Sequence, residues 1–313
     1  MNPRRSTPAG TANSGGATPR RVTRRAVVLA AILVAGAVAT SASITLTAAP
    51  AESTAQSWGE KQPLLWEDTF SGPAGTGLSS RAWTLVSGNA ATSGWGNHEL
   101  EYYTPSASKR TGWGTLQITA RRSSDPTLLC WTGQPCPYTS ARLTTEGKVS
   151  LLYGRAEARI KIPVGAGLWP AFWMLGSGTD WPNTGEIDVM ERIGREPTTV
   201  YGTAHGPGYS GGNGLSSHTT VGSASTGDGA WHTYAIDKQP GSVTWYIDGR
   251  QYFSITRASL PPGTAWVFDR PFYLLLNLAV GGDWPGSPTA STAFPAVMSV
   301  DYVRLRGTGW APK

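Results

Sequence analysis

The chain has 313 residues, enough for one large or two ordinary domains, and its 39 Gly, 23 Pro, 14 Trp and 11 Tyr favour an all-β body rich in turns over a helical one. Its net charge of +6 points at first to a polyanion partner. However, Arg4, Arg5, Arg20, Arg21, Arg24 and Arg25 all precede residue 52, where there is no acid, and the remaining basic residues balance the 20 acidic ones. A nucleic-acid partner is therefore left without support.

Residues 1–51 read as an export signal. Arg-rich flanks precede the apolar run Ala26–Ala39, and Ala49-Pro50-Ala51 offers small residues for cleavage. Thr23-Arg24-Arg25 loosely resembles a twin-arginine signal, although a general secretory signal also carries Arg there. Thr40, Ser41 and Ser43 interrupt the run, which favours cleavage over a retained anchor. A secreted protein without stable membrane association after cleavage is expected. Residues 52–62 read as a polar linker, and 63–310 as a single globular domain without internal repeats, expected to be a monomer.

Strands are predicted at Thr115–Arg121, Gly154–Ile162, Glu186–Glu191, Val200–His205, His232–Asp237, Ser242–Ile247, Gln251–Thr256, Phe272–Ala279 and Val297–Arg306. Asp248-Gly249 between two of them is a hairpin signal. Many short strands with turns between them argue a β-sandwich. Cys130 and Cys136 are too few for a zinc site and have no His nearby; in an exported chain a disulfide is expected.

Candidate binding groups appear along the domain. The segment Gly94–Thr104 packs aromatics and amides together, and Asn97 is a neutral bidentate group of the kind that reads sugar hydroxyls. In Gly167–Leu175, Trp169 and Trp173 are four residues apart, on one side of a strand, and offer flat apolar faces to a pyranose ring. His205 ends a predicted strand, where it could hydrogen-bond a catalytic nucleophile or a sugar hydroxyl, and the Gly-rich loop after it lacks the Lys-Ser/Thr of a phosphate loop.

The chemistry concentrates in Gly185-Glu186-Ile187-Asp188-Val189-Met190-Glu191-Arg192. Glu186 and Asp188 alternate with apolar residues and share one face of a strand. Glu191, five residues from Glu186, falls on the opposite face unless a one-residue bulge lies at Val189-Met190. With the bulge, two Glu carboxyls lean toward each other at about 5–6 Å, near the separation of a retaining glycosidase. Asp188 stands between them.

Glu-Ile-Asp-Val-Met-Glu resembles the active-site signature of glycoside hydrolase family 16, in the laminarinase form that carries the extra residue before the second Glu. The resemblance extends from about Leu64 to Arg306. It implies a curved, concanavalin A-like jelly roll with a substrate cleft on its concave face. It further implies a secreted endo-β-1,3-glucanase working without a catalytic cofactor, with Glu186 as nucleophile, Glu191 as general acid/base and Asp188 tuning both. Asn97 would lie at the donor side of the cleft, Arg142 of Ser140-Ala141-Arg142-Leu143 within it, and Asn277 and Trp284 of Asn277–Gly286 at its far side. Asp301, with main-chain oxygens near Thr69 and Gly114, would hold a structural Ca²⁺. The alternatives are another polymer, such as mixed-linkage glucan or agarose, or a β-glucan-binding protein that does not hydrolyse. Such binders lack the catalytic Glu residues, and this chain keeps all three acids.

Overall fold

The computed structural model describes residues 56–89, 93–178, 180–222 and 229–311; the expected leader lies outside the described residues. The described residues contain 17 strands. They are β1 Leu64–Asp68, β2 Thr84–Val86, β3 Glu101–Tyr103, β4 Ser108–Arg110, β5 Leu116–Arg122, β6 Tyr138–Ser140, β7 Arg142–Thr144, β8 Ser150–Lys161 and β9 Leu168–Gly176. There follow β10 Glu186–Glu191, β11 Thr199–His205, β12 Leu215–Thr220, β13 Trp231–Gln239, β14 Ser242–Ile247, β15 Arg250–Thr256, β16 Phe272–Val280 and β17 Ala296–Trp310.

Two antiparallel layers result. One runs β2-β7-β16-β9-β10-β11-β12. The other runs β15-β14-β13-β8-β17, with β1 and β5 sharing the far edge of β17. A short pairing of Phe272 with Leu151 and Tyr273 with Ser150 stitches the layers together. The fold is the expected curved jelly roll, and each predicted strand is present within a few residues of its expected ends. At the hairpin joining β14 and β15, Asp248 and Gly249 both take positive φ, 50° and 77°, as a type I′ turn requires.

Alternation sorts the side chains. Ile187, Val189 and Met190 of β10 are fully buried between the layers with Phe172, Met174, Leu274 and Leu276. Along β16 every position is buried, because β7 and β9 flank it in its own layer and the core lies beneath. Cys130 and Cys136 form the expected disulfide.

Part of the predicted linker behaves differently. Ser57–Lys61 packs onto the domain, where Gly59 N donates to Asp237 Oδ2 at 2.9 Å and Arg155 Nη1 donates to Ser57 Oγ at 3.1 Å. Arg155 is 2% exposed and also pairs with Asp237 and Glu157. A buried guanidinium needs these partners, since its desolvation costs several kcal/mol. The polar composition that suggested a solvated linker serves instead to satisfy a buried charge.

Candidate active site

The strand β10 carries the predicted bulge. On one side its register runs from Glu186 opposite Leu175 to Glu191 opposite Ala171, so five steps on β10 meet four on β9. The same mismatch appears against β11, from Glu186 opposite His205 to Glu191 opposite Tyr201. The extra residue returns Glu191 to the face of Glu186 and Asp188. The bulge disrupts the ladder at Asp188, and the Asp188 main-chain oxygen accepts a hydrogen bond from Trp245 Nε1 at 2.7 Å. Trp245 reaches across from the other layer and is fully buried. Gly202 on β11 makes room for it: a Cβ there would stand 2.6 Å from the indole.

The three carboxyls lie on the floor of a cleft of about 820 Å³. All the residues proposed from sequence to touch substrate, namely Asn97, Arg142, Trp169, Trp173, His205, Asn277 and Trp284, line the same cleft. Carboxylate oxygens of Glu186 and Asp188 and a ring nitrogen of His205 lie within 4.8 Å of one another. His205 Nε2 is 3.1 Å from Asp188 Oδ2, so the imidazole addresses the middle acid rather than Glu186. Gly214 packs on that ring, where a Cβ would come within 2.6 Å.

Several proposed contacts take more specific forms. Trp169 Nε1 donates to Glu191 Oε1 at 3.0 Å, and its ring meets Trp284 edge-on at 5.6 Å. Arg195 holds Trp284 from behind through the Trp284 main-chain oxygen. Trp173 Nε1 donates to Asn277 Oδ1 at 2.7 Å. The Arg142 guanidinium lies 4.8 Å from the Trp173 ring centroid and 4.5 Å from that of Trp95. Arg142 is thus fixed by cation–π contacts with two indoles, and one face of Trp173 is given to it rather than to a sugar.

Trp181 was not singled out in the sequence. It stands in the loop between β9 and β10, half-exposed, and donates to Glu186 Oε2 at 2.6 Å. An indole in a turn-rich loop just before the catalytic strand was the available signal. Trp95, Glu99 and Tyr201 also line the cleft and were not proposed.

Burial dominates the electrostatics. It pushes Glu186 up to about 8, aided by the charge of Asp188 and opposed by His205 and the Trp181 N–H. Burial pushes Asp188 up to about 7, against the hydrogen bond it shares with Glu186. Burial also holds Glu191 well above the usual carboxylate range, with further help from Asp188. Three acids this close cannot all ionise at neutral pH, so they titrate as one unit. A carboxyl that holds its proton to higher pH suits the role of a general acid.

Trp181→Phe therefore has a defined expected result. A lost hydrogen bond to a charged acceptor costs about 1.5–3 kcal/mol, or roughly 10- to 100-fold in kcat/KM. That bond holds the Glu186 pKa down, so its loss should move the acidic limb of the pH–rate profile to higher pH. An unchanged acidic limb would mean that the indole does not act on Glu186.

The residues expected to hold calcium lie away from the cleft. The pairings of Asp68 with Val303 and of Leu116 with Val300 bring Thr69, Gly114 and Asp301 to one end of β17. A Cβ on Gly114 would be 3.6 Å from the Thr69 main-chain oxygen. Asp301 Oδ2, however, accepts from Arg159 Nη1 at 2.7 Å. One Asp301 oxygen and two carbonyls remain for a cation, and water, which Ca²⁺ also takes as a ligand, would supply the rest. No step of the chemistry depends on it.

Residues 95–304 match the model of glycosyl hydrolases family 16. The chain is 42% identical over 227 residues to a beta-glucanase of Rhodothermus marinus, covering 68% of this chain and 75% of that protein. It is 37% identical over 268 residues to a glucan endo-1,3-beta-glucosidase A1 of Niallia circulans, covering 77% of this chain and 37% of that one. Among solved structures, it resembles the endo-beta-1,3-glucanase of Pyrococcus furiosus with 46% identity and a TM-score of 0.71 over 80% of this chain and 95% of that chain. The laminarinase catalytic domain of Thermotoga maritima gives 42% and 0.72 over 79% and 98%.

Proposed function

The chain belongs to glycosyl hydrolases family 16, and on that premise we propose that it is a secreted endo-β-1,3-glucanase that hydrolyses with retention of anomeric configuration. It is a glycoside hydrolase, as its relatives are. The observation that carries the mechanistic reading is the bulge in β10, which sets Glu186, Asp188 and Glu191 on one face at the floor of an aromatic cleft.

Glu186 attacks the anomeric carbon while Glu191 protonates the departing glycosidic oxygen, giving a glycosyl-enzyme. Glu191, now ionised, then takes a proton from water, which attacks the same carbon and releases Glu186. Asp188, between Glu186 and His205, takes up and returns the proton that would otherwise keep the nucleophile neutral. No metal or organic cofactor is needed for either step. A cleft with the acids among its lining residues suits internal cuts in a polymer, and β-1,3-glucan is the substrate named for two of the four relatives described above.

The test is an incubation of the mature enzyme with laminarin, lichenan, agarose and carrageenan, following product size over time. Laminarin should be cut first, to short oligosaccharides. Activity on agarose with none on laminarin would overturn the substrate assignment. Export has its own check. The protein recovered from culture medium should begin near Glu52, and an intact leader on membrane-bound protein would refute cleavage.

A further inference from the structure

A second pair of acids stands apart from the catalytic trio, with Glu99 lining the same cleft. Glu99 is 4% exposed and Glu101 is fully buried. Among the described residues, neither forms an ion pair with an Arg, Lys or His. Four side chains around Glu99 are joined by hydrogen bonds that point one way. Trp173 Nε1 donates to Asn277 Oδ1 at 2.7 Å, and Asn277 Nδ2 donates to the Tyr103 hydroxyl at 3.2 Å. The Tyr103 hydroxyl donates to Glu99 Oε2 at 3.1 Å. From the other side, Asn97 Nδ2 donates to Glu99 Oε1 at 3.1 Å.

Glu101 has a different role. Its Oε2 accepts from Val280 N at 2.6 Å, while its Oε1 has no hydrogen-bond partner among the described residues. Burial and the charge of Glu99 hold Glu101 well above the usual carboxylate range. Glu99 is held by two donors, from Asn97 and Tyr103. The other titratable groups here are the Tyr103 phenol, which burial raises well above its usual value, and the Arg142 guanidinium that acts on it.

The wall above is a strained loop. Ser93, Trp95 and His98 all take φ between 57° and 59°, uncommon for residues with a Cβ. The Asn97 main-chain oxygen accepts from Asp283 N at 2.9 Å, while its side chain is held by Glu99.

We propose that Glu99 is the positioning residue for the cleft wall: its carboxylate fixes the Asn97 amide so that the Asn97 side-chain oxygen is presented to a sugar hydroxyl as an acceptor, and it ties that wall through Tyr103 and Asn277 to Trp173. This rests on the glucanase reading of the same cleft. A further consequence is directional. With one of its two Nδ2–H groups on Glu99, the Asn97 amide is fixed in orientation, so its Oδ1 accepts from a hydroxyl at that position and a sugar deoxygenated there loses the contact.

The same chemical change at the two acids should then have opposite outcomes. In Glu101→Gln the side-chain oxygen still accepts from Val280 N and the bonds of Glu99 to Asn97 and Tyr103 are untouched, so KM and kcat on laminarin oligosaccharides should remain within about twofold of wild type. In Glu99→Gln one acceptor oxygen becomes a donor facing donors, so KM should rise about tenfold or more with kcat changed less than threefold. Asn97→Ala should raise KM similarly, and the double variant Asn97→Ala/Glu99→Gln should be no worse than either single one. Tyr103→Phe, which removes one donor and leaves the ring in place, gives the same readout at smaller amplitude if Glu99→Gln does not fold.

An unchanged KM in Glu99→Gln, additive losses in the double variant, or equal losses in Glu99→Gln and Glu101→Gln would each overturn the inference. If Glu99→Gln does not fold, an unchanged KM in Tyr103→Phe overturns it. Wild-type protein that does not cut laminarin would overturn the glucanase reading instead, so the two failures are distinguishable.

Discussion

Glu186→Gln is expected to lower kcat on laminarin at least about 10⁴-fold, the scale seen when the nucleophile of a concerted site is removed. The amide cannot form the glycosyl-enzyme, and no neighbour replaces it: Asp188 faces His205, and Glu191 lies beyond the bulge beside Trp169. The wild-type enzyme should release the β-anomer first, as NMR during early hydrolysis would record. Release of the α-anomer would mean inversion, which needs carboxyls about 6.5–9.5 Å apart and a water between them. The same substitution should stabilise the fold at alkaline pH. A Glu in the unfolded chain loses its proton near pH 4.3, whereas Glu186 in the folded state holds its proton to about 8. Between those values the folded state binds the extra proton, so stability falls as pH rises through that window. Gln removes the fall. Thermal unfolding should therefore show similar midpoints for the two proteins near pH 4 and a higher one for Glu186→Gln near pH 8.

Glu191→Gln is expected to lower kcat on glucan by about 10²- to 10⁴-fold, the usual contribution of a positioned general acid. An aryl β-glucoside whose leaving group needs no proton should retain a fast first step, with the glycosyl-enzyme accumulating because the base for the second step is gone. The wild-type alkaline limb of kcat/KM reports loss of the Glu191 proton, which burial and Asp188 hold well above the ordinary range. That limb should vanish in the variant on the activated substrate. An equal loss on glucan and on the activated substrate would mean that Glu191 does not deliver the proton to the leaving oxygen.

The pattern of Glu186, Ile187, Asp188, Val189, Met190 and Glu191 contained both the catalytic face and its interruption. The step of two along a strand is geometric, so a fifth-position acid that belongs with the first demands a bulge. The registers against β9 and β11 place it at Val189-Met190. Strand positions were legible for the same reason, as was the Asp248-Gly249 turn, since positive φ at two successive residues is a local requirement. The groups proposed to line the cleft were recognisable because Trp, Asn, Arg and His are the residue types that meet sugars. Tertiary structure decided their assignments. Trp169 is a hydrogen-bond donor to the acid/base and Arg142 lies against two indoles, which depends on loops and strands far apart in sequence. Trp245 contributes from the opposite layer, to a carbonyl that only the bulge makes available. Glu99 and Glu101 look like surface acids beside Asn97, in a segment with no apolar alternation strong enough to bury them. Their burial follows from the pairing of Glu101 with Tyr138 and of Leu100 N with Val280 O. The sequence by itself determined which acids share one face, because covalent spacing along one strand sets them. Which protons those atoms hold was decided by the folded structure, because desolvation and neighbouring charge exist only once the two layers and their loops have closed around them.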